Sequence, residues 1–298
     1  MVFKSILLGG TALLAASGAA YASQSCAYTA TQNTTLNATG LTLAQILVHD
    51  SDVQLTGVKG LTQIQVAGKV CASSPERLKS YLSEVHLDAT RSGNTANITV
   101  DKGHEEHFKF GVFSYTFSHS SSYSSPTNYA YVKLVVQVPA SLATQITSES
   151  GDISADNLAS LTVKSQSGDI EANHIQGLFS ANSASGDISA QNLGSAALSN
   201  VYSGDVELKS VQGNVSVGTM ESGDLSIENV QHDVTIDDMN SGDVTLSKIA
   251  GSVNLNNILS GDVIADDIGG NFTVQNSISG NVVYHNVHGT VSVPGSNN

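Results

Sequence analysis

Seven aspartates recur at nearly even spacing through the C-terminal half, and their carboxylates are the groups best placed for chemistry. Each follows a Ser-Gly pair: Asp152, Asp169, Asp187, Asp205, Asp224, Asp243 and Asp262. Stacked about 5 Å apart, such charges repel by roughly 1 kcal/mol in water, so the row needs compensation. Carboxylates can cap backbone N–H groups of turns, and all-oxygen ligand sets also suit Ca²⁺. We expect capping, because the glycine-rich Ca²⁺-binding nonapeptide is not matched; a Ca²⁺ ladder is the alternative, and no other cofactor is indicated.

A second polar group, His104-Glu105-Glu106-His107, does not form the zinc motif H-E-x-x-H, because its second histidine comes one residue early. In a strand, positions three apart face opposite sides, so we predict a polar hairpin edge. The sequence has no G-x-S-x-G nucleophile motif and no phosphate loop. The acidic residues of the repeat form one row, whereas enzymes that cleave polysaccharides use two carboxylates on opposite sides of the scissile bond. We therefore predict no catalytic residues, with a polysaccharide-active β-helix enzyme as an alternative.

Aromatic residues concentrate between Phe108 and Tyr131, where their alternation predicts a β-hairpin with a Ser-rich tip. The chain has nine Tyr, seven Phe and no Trp. We expect a small satellite core under a long loop. The alternative is a hairpin that contacts a ligand, since exposed rings stack on sugars or anchor partners. The candidate contact residues are Phe113, Tyr115, Phe117, Tyr123, Tyr129 and Tyr131.

Residues 1–22 have the features of a cleaved signal peptide: Lys4, an apolar stretch from Ile6 to Leu14, and Ala20-Tyr21-Ala22 before the cleavage point. No membrane anchor is expected. Export to an oxidising compartment predicts a disulfide between the two cysteines, Cys26 and Cys71. We expect a periplasmic, extracellular or cell-surface location.

Repeats determine the predicted architecture. The eight glycines of the Ser-Gly-Asp/Asn units are spaced 17, 18, 18, 19, 19, 19 and 19 residues apart in the span 149–298. Aliphatic residues follow each glycine at +2, +4 and +7, and a second apolar pair follows later in most units, as Val253 and Leu255 do. Each half of a repeat can bury its apolar face only by stacking on the equivalent half of the next repeat, about 4.8 Å away. The sequence predicts an all-β, right-handed parallel β-solenoid, two half-turns per coil, in a rod of order 35 Å.

Residues 23–148 read as an irregular N-terminal β region continuous with the solenoid; a separate small β-domain is the alternative. Residues 51–60 copy the repeat without its corner glycine, and we expect Ile64 and Val66 to supply the second half of that coil. Residues 86–100 and 130–148 resemble strands. Ser73-Ser74-Pro75-Glu76 predicts the start of a short helix.

The formal net charge of −14 excludes binding to the phosphates of nucleic acid, and it also excludes unaided adhesion to anionic membranes. Charge of this size favours solubility or uptake of divalent cations.

The repeat S-G-D-[IVL]-x-[AVIL]-x-x-[LIV], preceded by Val136-Gln137-Val138-Pro139, resembles the "putative adhesin" family of bacterial envelope proteins over roughly residues 50–295. It is also similar to autotransporter adhesin head domains. The resemblance implies an exported, non-enzymatic adhesin or structural envelope module that contacts envelope components, host surfaces or glycans. A periplasmic glycan- or Ca²⁺-binding module is the alternative. Open solenoid ends are unpaired strand edges, so end-to-end self-association is a further expectation.

Overall fold

The computed structural model describes residues 26–102 and 128–294. They form a β-solenoid of about eight turns with one short helix and additional N-terminal strands, which confirms the predicted fold class. The expected signal peptide, the His104–His107 group and the aromatic residues from Phe108 to Tyr123 lie outside the described residues. The right-handed winding stays a prediction.

Eight strands form the N-terminal part: β1 (Tyr28–Asn37), β2 (Leu43–Asp50), β3 (Asp52–Val58), β4 (Gln63–Ala72), β5 (Val85–Ser92), β6 (Thr95–Lys102), β7 (Ala130–Pro139) and β8 (Ala143–Ser150). The coils that follow comprise β9 (Ile153–Leu158), β10 (Ser160–Ser165), β11 (Ile170–Ser183), β12 (Ile188–Val201), β13 (Val206–Val211), β14 (Val215–Met220), β15 (Leu225–Val230), β16 (Val234–Met239), β17 (Val244–Ile249), β18 (Val253–Ser260), β19 (Val263–Ile268), β20 (Phe272–Ser279), β21 (Val282–Val287) and β22 (Val291–Ser292). The single helix of the described ranges, α1, spans Pro75–Glu84.

The strands stack in two parallel columns, one for each half of a coil. The first column runs through β3, β9, the start of β11, the start of β12, and then β13, β15, β17, β19 and β21. The second runs through β2, β8, β10, the ends of β11 and β12, and then β14, β16, β18, β20 and β22. In the later coils each strand residue pairs with the residue nineteen positions on, as Leu225 does with Val244.

The aliphatic residues of the repeat point inward and form one continuous core. Ile153, Leu208 and Val244 are at most 2% exposed, and Phe179 and Phe272 are the largest fully buried side chains. Burying an aliphatic side chain of this size stabilises the fold by about 1.5–3 kcal/mol. The pattern continues to β20, but in β21 the inward Val282 and Val287 are only half-buried and Tyr284 is exposed.

The N-terminal strands join the same sheet. Asp52 begins β3, which pairs in parallel with both β7 and β9, while β2 lies in the second column between β6 and β8. The expectation for Ile64 and Val66 is wrong: their strand β4 runs antiparallel to β1 and β7 instead of continuing a parallel coil. The tight turn at Gly60, with φ +77°, returns the chain instead of carrying it around a corner.

Helix α1 begins where the capping pattern predicts. The Ser74 hydroxyl accepts a hydrogen bond from the Arg77 backbone N–H at 3.2 Å, and Pro75 occupies the first turn. Leu78, Tyr81 and Leu82 form the helix face that packs against the N-terminal end of the core.

Candidate functional surface

The aspartates of the repeat form one row along the first corner of the solenoid. Each backbone N–H donates to Oδ1 of the aspartate one coil earlier, from Asp152 onto Asp52 through to Asn281 onto Asp262, at 2.8–3.2 Å. One oxygen of each carboxylate in the row is therefore committed to a backbone amide. This is the capping arrangement, extended between coils instead of within one turn. The amide dipoles that point at each carboxylate offset part of the repulsion along the row.

The glycines before these aspartates have φ between +103° and +125°, a region that disfavours side chains. They also lie directly over one another. A Cβ added at Gly168 would lie 2.7 Å from the Gly151 carbonyl carbon, and one at Gly242 would lie 2.7 Å from that of Gly223. Both the backbone conformation and the coil spacing therefore require glycine at this corner.

A second corner, six residues after each glycine, was not recognised from the sequence. Its residues adopt φ between 51° and 61° without being glycine: Asn157, His174, Asn192, Ser210, Asn229, Lys248, Asp267 and Asn286. Asn and Asp adopt this left-handed conformation more readily than other residues. The four asparagines at this position were the available signal.

Amide and carboxylate side chains form two further rows on strands β16, β18 and β20, and we call their six residues the amide edge: Asp237, Asn256, Gln275, Asp238, Asn257 and Asn276. Asn256 donates to Asp237 at 2.8 Å, and Gln275 donates to Asn256 at 2.8 Å. In the adjacent row, Asn257 donates to Asp238 at 2.8 Å, and Asn276 donates to Asn257 at 2.9 Å. Each side chain keeps further hydrogen-bonding capacity, which presents a regular array of donors and acceptors at the surface.

A fourth row repeats the capping arrangement at the turn between the two halves of each coil. Asn214, Asp233, Ser252 and Asn271 each accept the backbone N–H of the corresponding residue in the next coil, at 2.7–3.1 Å. Asn and Ser therefore perform here what Asp performs at the first corner. The function needs a side-chain oxygen, and a charge is not required.

Within residues 26–102 and 128–294, no group of three or more His, Cys, Asp or Glu is arranged to hold a metal ion. Two surface lysines instead lie beside acids. Lys248 Nζ is 2.7 Å from Glu228 Oε1, and this hydrogen bond and charge raise the pKa of Lys248 and lower that of Glu228. Lys209 Nζ lies 2.5 Å from Glu207 Oε1, which raises the pKa of Lys209 in the same way. These groups are on the surface, where such pairs contribute little to stability.

Cys26 and Cys71 form a disulfide with their Cα atoms 5.3 Å apart, as predicted. Tyr131 lies beside it, and its hydroxyl donates to Cys26 Sγ at 3.6 Å. The Tyr129 ring lies 6.0 Å from that of Tyr131, and its hydroxyl accepts the Ala27 backbone N–H at 3.3 Å. These two of the six candidate ligand-contact aromatics therefore tie the N-terminal segment to strand β7; the other four lie outside the described residues.

Burial raises the pKa of Tyr131 above its ordinary value of 10.0, and the negative charge of Asp52 adds to the effect.

Stacked coils with polar rows at their corners place the chain in the class of β-solenoid repeat proteins. The chain belongs to the Toastrack DUF4097 family, whose model matches residues 76–293. None of the helices in the described part of the chain is long and apolar enough to cross a membrane.

The solved structures that are similar to this chain include the following three. A putative adhesin from Bacteroides fragilis is 14% identical, with 89% of this chain and 97% of that chain covered and a TM-score of 0.32. A putative adhesin from Parabacteroides distasonis is 11% identical, with 89% and 97% covered and a TM-score of 0.32. A putative cell adhesion protein from Clostridium sporogenes is 9% identical, with 89% and 96% covered and a TM-score of 0.27. No curated protein matches the sequence significantly.

Proposed function

We propose that this chain is an exported, non-enzymatic β-solenoid that serves as a structural or adhesive module of the bacterial cell envelope. One observation carries the proposal: the same hydrogen-bonded polar rows recur coil after coil over one continuous core. Each inner coil is hydrogen-bonded to the coils on both sides of it, so the side chains within a row are held at a fixed spacing. A rigid array of identical weak contacts binds a repetitive surface through avidity.

The amide edge supports a glycan as the surface that is recognised. Amide and carboxylate groups hydrogen-bond to sugar hydroxyls, and rows whose side chains lie one coil, about 4.8 Å, apart offer several such groups to one extended chain. Asp237 is exposed and Asn256 is partly exposed on the outer face of their strands. This observation also favours the second candidate function, a periplasmic glycan-binding module. The two candidates share the same contact and differ in location.

The disulfide supports export, since such bonds form and persist in oxidising compartments. Protease treatment of intact cells separates the two candidates. Cleavage of the chain on intact cells supports a surface module, whereas cleavage only after the outer barrier is opened supports the periplasmic one. A chain found only in the reducing cytosol would overturn both.

The binding claim is tested with purified mature chain coupled to beads and exposed to immobilised envelope polysaccharides and host glycans. We expect retention on at least one polysaccharide and its loss in the double variant Asn256→Ala/Asn257→Ala. The matched control is Ser226→Ala/Thr245→Ala, which removes outward-facing hydroxyls from another face of the rod. Retention that is unchanged in the amide-edge variant, or lost equally in the control, contradicts the assignment. Shortened polysaccharide products after incubation would overturn the non-enzymatic role.

A further inference from the structure

Large apolar side chains are exposed mainly toward the C-terminal end of the solenoid. Five of the eight in the described residues lie in the last three coils: Leu259 (41%), Ile264 (45%), Ile278 (74%), Val283 (41%) and Tyr284 (38%). Exposed apolar groups that cluster in this way mark interaction surfaces, whereas isolated ones are ordinary.

The earlier coils provide an internal comparison. Ile264 and Val283 continue the outward-facing row of Glu207, Ser226 and Thr245, which is polar until the end of the rod is reached. Leu259 and Ile278 continue a row that starts with the exposed Tyr202 and passes through Glu221 and Asn240. The same structural positions therefore become apolar in the final coils, although the coil itself does not require an apolar residue there.

Charged side chains are absent from the last coil. No Asp, Glu, Lys or Arg follows Asp267, although the whole chain carries −14. At the first corner the row of aspartates ends in Asn281, which keeps the side-chain oxygen without the charge. An uncharged end can approach an identical end without the repulsion that the rest of this acidic rod would impose.

Within the described residues, the last strands at this end also have unpaired edges. Strand β21 pairs with β19 and β22 with β20, and no strand of the described ranges pairs with their other edges. Proteins usually blunt such edges with charges or cover them. At the opposite end, β1 and β5 also have one paired edge each within the described residues, but helix α1 packs there against β1, β4 and β5 and contributes the charged residues Glu76, Arg77, Lys79 and Glu84.

We propose that the C-terminal end of the solenoid is the interface of a homodimer in which two copies meet end to end. A two-fold axis perpendicular to the rod would set β21 antiparallel to the β21 of the second copy, so that both edges gain backbone partners. The half-buried Val282, Val287 and Val291 would complete their burial against the same residues of the partner. The N-terminal ends, which carry helix α1 and its charged residues, would point away from each other. This inference goes beyond the proposed function and does not depend on it.

Light scattering coupled to size-exclusion chromatography tests the interface on the mature chain with its disulfide intact. We expect a mass of two chains that falls to one chain on dilution. Val283→Lys should weaken dimerisation by at least about tenfold, since a lysine on an edge strand opposes pairing with a second edge. Thr245→Lys is the matched control, because its side chain also faces outward at the equivalent position two coils further from the C-terminal end. This variant should leave the dimer unchanged.

If Val283→Lys does not fold, Ile278→Lys gives the same test, because that side chain is outside the core. Hydrogen exchange adds an independent readout: the β21 amides should exchange slowly in the dimer and rapidly in either variant. A wild-type mass of one chain at every concentration overturns the proposal. So does an open series of larger assemblies, which would indicate head-to-tail stacking, or a dimer that survives both lysine variants.

Discussion

The backbone N–H of Asp243 donates a hydrogen bond to Oδ1 of Asp224, one coil earlier, at 2.9 Å. The contact recurs along the first corner and makes each carboxylate an acceptor for the coil that follows. It accounts for the recurring side-chain oxygen at this position of the repeat. It also separates two properties of aspartate, its oxygen and its charge, of which only the oxygen takes part in the bond.

Replacing Asp224 therefore distinguishes capping from a role of the charge. Asp224→Asn keeps the acceptor, as Asn214 does for Asp233 at 3.1 Å, and should change the free energy of unfolding by less than about 0.5 kcal/mol. Asp224→Ala leaves the Asp243 N–H without that acceptor and should cost about 1 kcal/mol. Urea unfolding measures both values. Equal destabilisation by the two variants would contradict the capping role.

The Ca²⁺ ladder has its own measurement. If capping is the role of the row, the thermal midpoint of the wild-type chain should be the same with Ca²⁺ and with EDTA. Asp224→Asn should show the same insensitivity. A midpoint that rises with Ca²⁺ in the wild type and not in a chain carrying several Asp→Asn changes would establish the cation site instead.

Gly242→Ala should be among the most destabilising single changes in the rod. The residue has φ +116°, and the added Cβ would meet the backbone of Gly223. Backbone strain of about 1–3 kcal/mol adds to an overpacking cost of similar size. The matched control is Gly60→Ala, where φ is +77° and no atom lies within 4 Å of the added Cβ, so only the strain remains. Thermal midpoints that fall equally in both variants would show that the close approach of the coils contributes nothing.

Reduction of the disulfide should destabilise the N-terminal part of the chain. The bond closes a 45-residue separation, for which the chain-entropy model gives about 4 kcal/mol. Chemical denaturation of the wild type with and without reductant measures the effect, and Cys26→Ala/Cys71→Ala should reproduce the reduced value. The double variant then serves as the control, because reductant should have no effect on it. A reductant effect that persists in that variant would mean that another process is being measured.

Stability should fall at alkaline pH through Tyr131. Its pKa in the folded chain is raised above the ordinary 10.0, so the unfolded chain loses this proton first. The contribution is fully present below pH 10.0 and is lost as the pH rises through the folded pKa. Ultraviolet titration of tyrosinate should show a late-ionising group that is missing in Tyr131→Phe. The control is Tyr202→Phe, which removes an exposed tyrosine and should leave the late-ionising group in place. If the late-ionising group were lost in this control and kept in Tyr131→Phe, the assignment to Tyr131 would be wrong.

The periodic part of the fold could be predicted from the chain alone. Ser-Gly-Asp units at a nearly constant interval require equivalent backbone at each corner, and aliphatic residues at fixed offsets from Gly242 or Gly261 can be buried only by stacking. The helix start at Ser74 and the pairing of Cys26 with Cys71 were also predictable, because capping chemistry and a single pair of cysteines leave few alternatives.

The reversal of strand β4 and the left-handed corner at residues such as Asn229 and Lys248 were decided only by the tertiary structure. So were the amide edge and the apolar, uncharged end at β21. A sequence pattern reports which residues share a face, since periodicity is local to one strand. Which atoms meet across coils depends on how neighbouring coils stack, and that relationship joins residues about nineteen positions apart, beyond the range over which local preferences act.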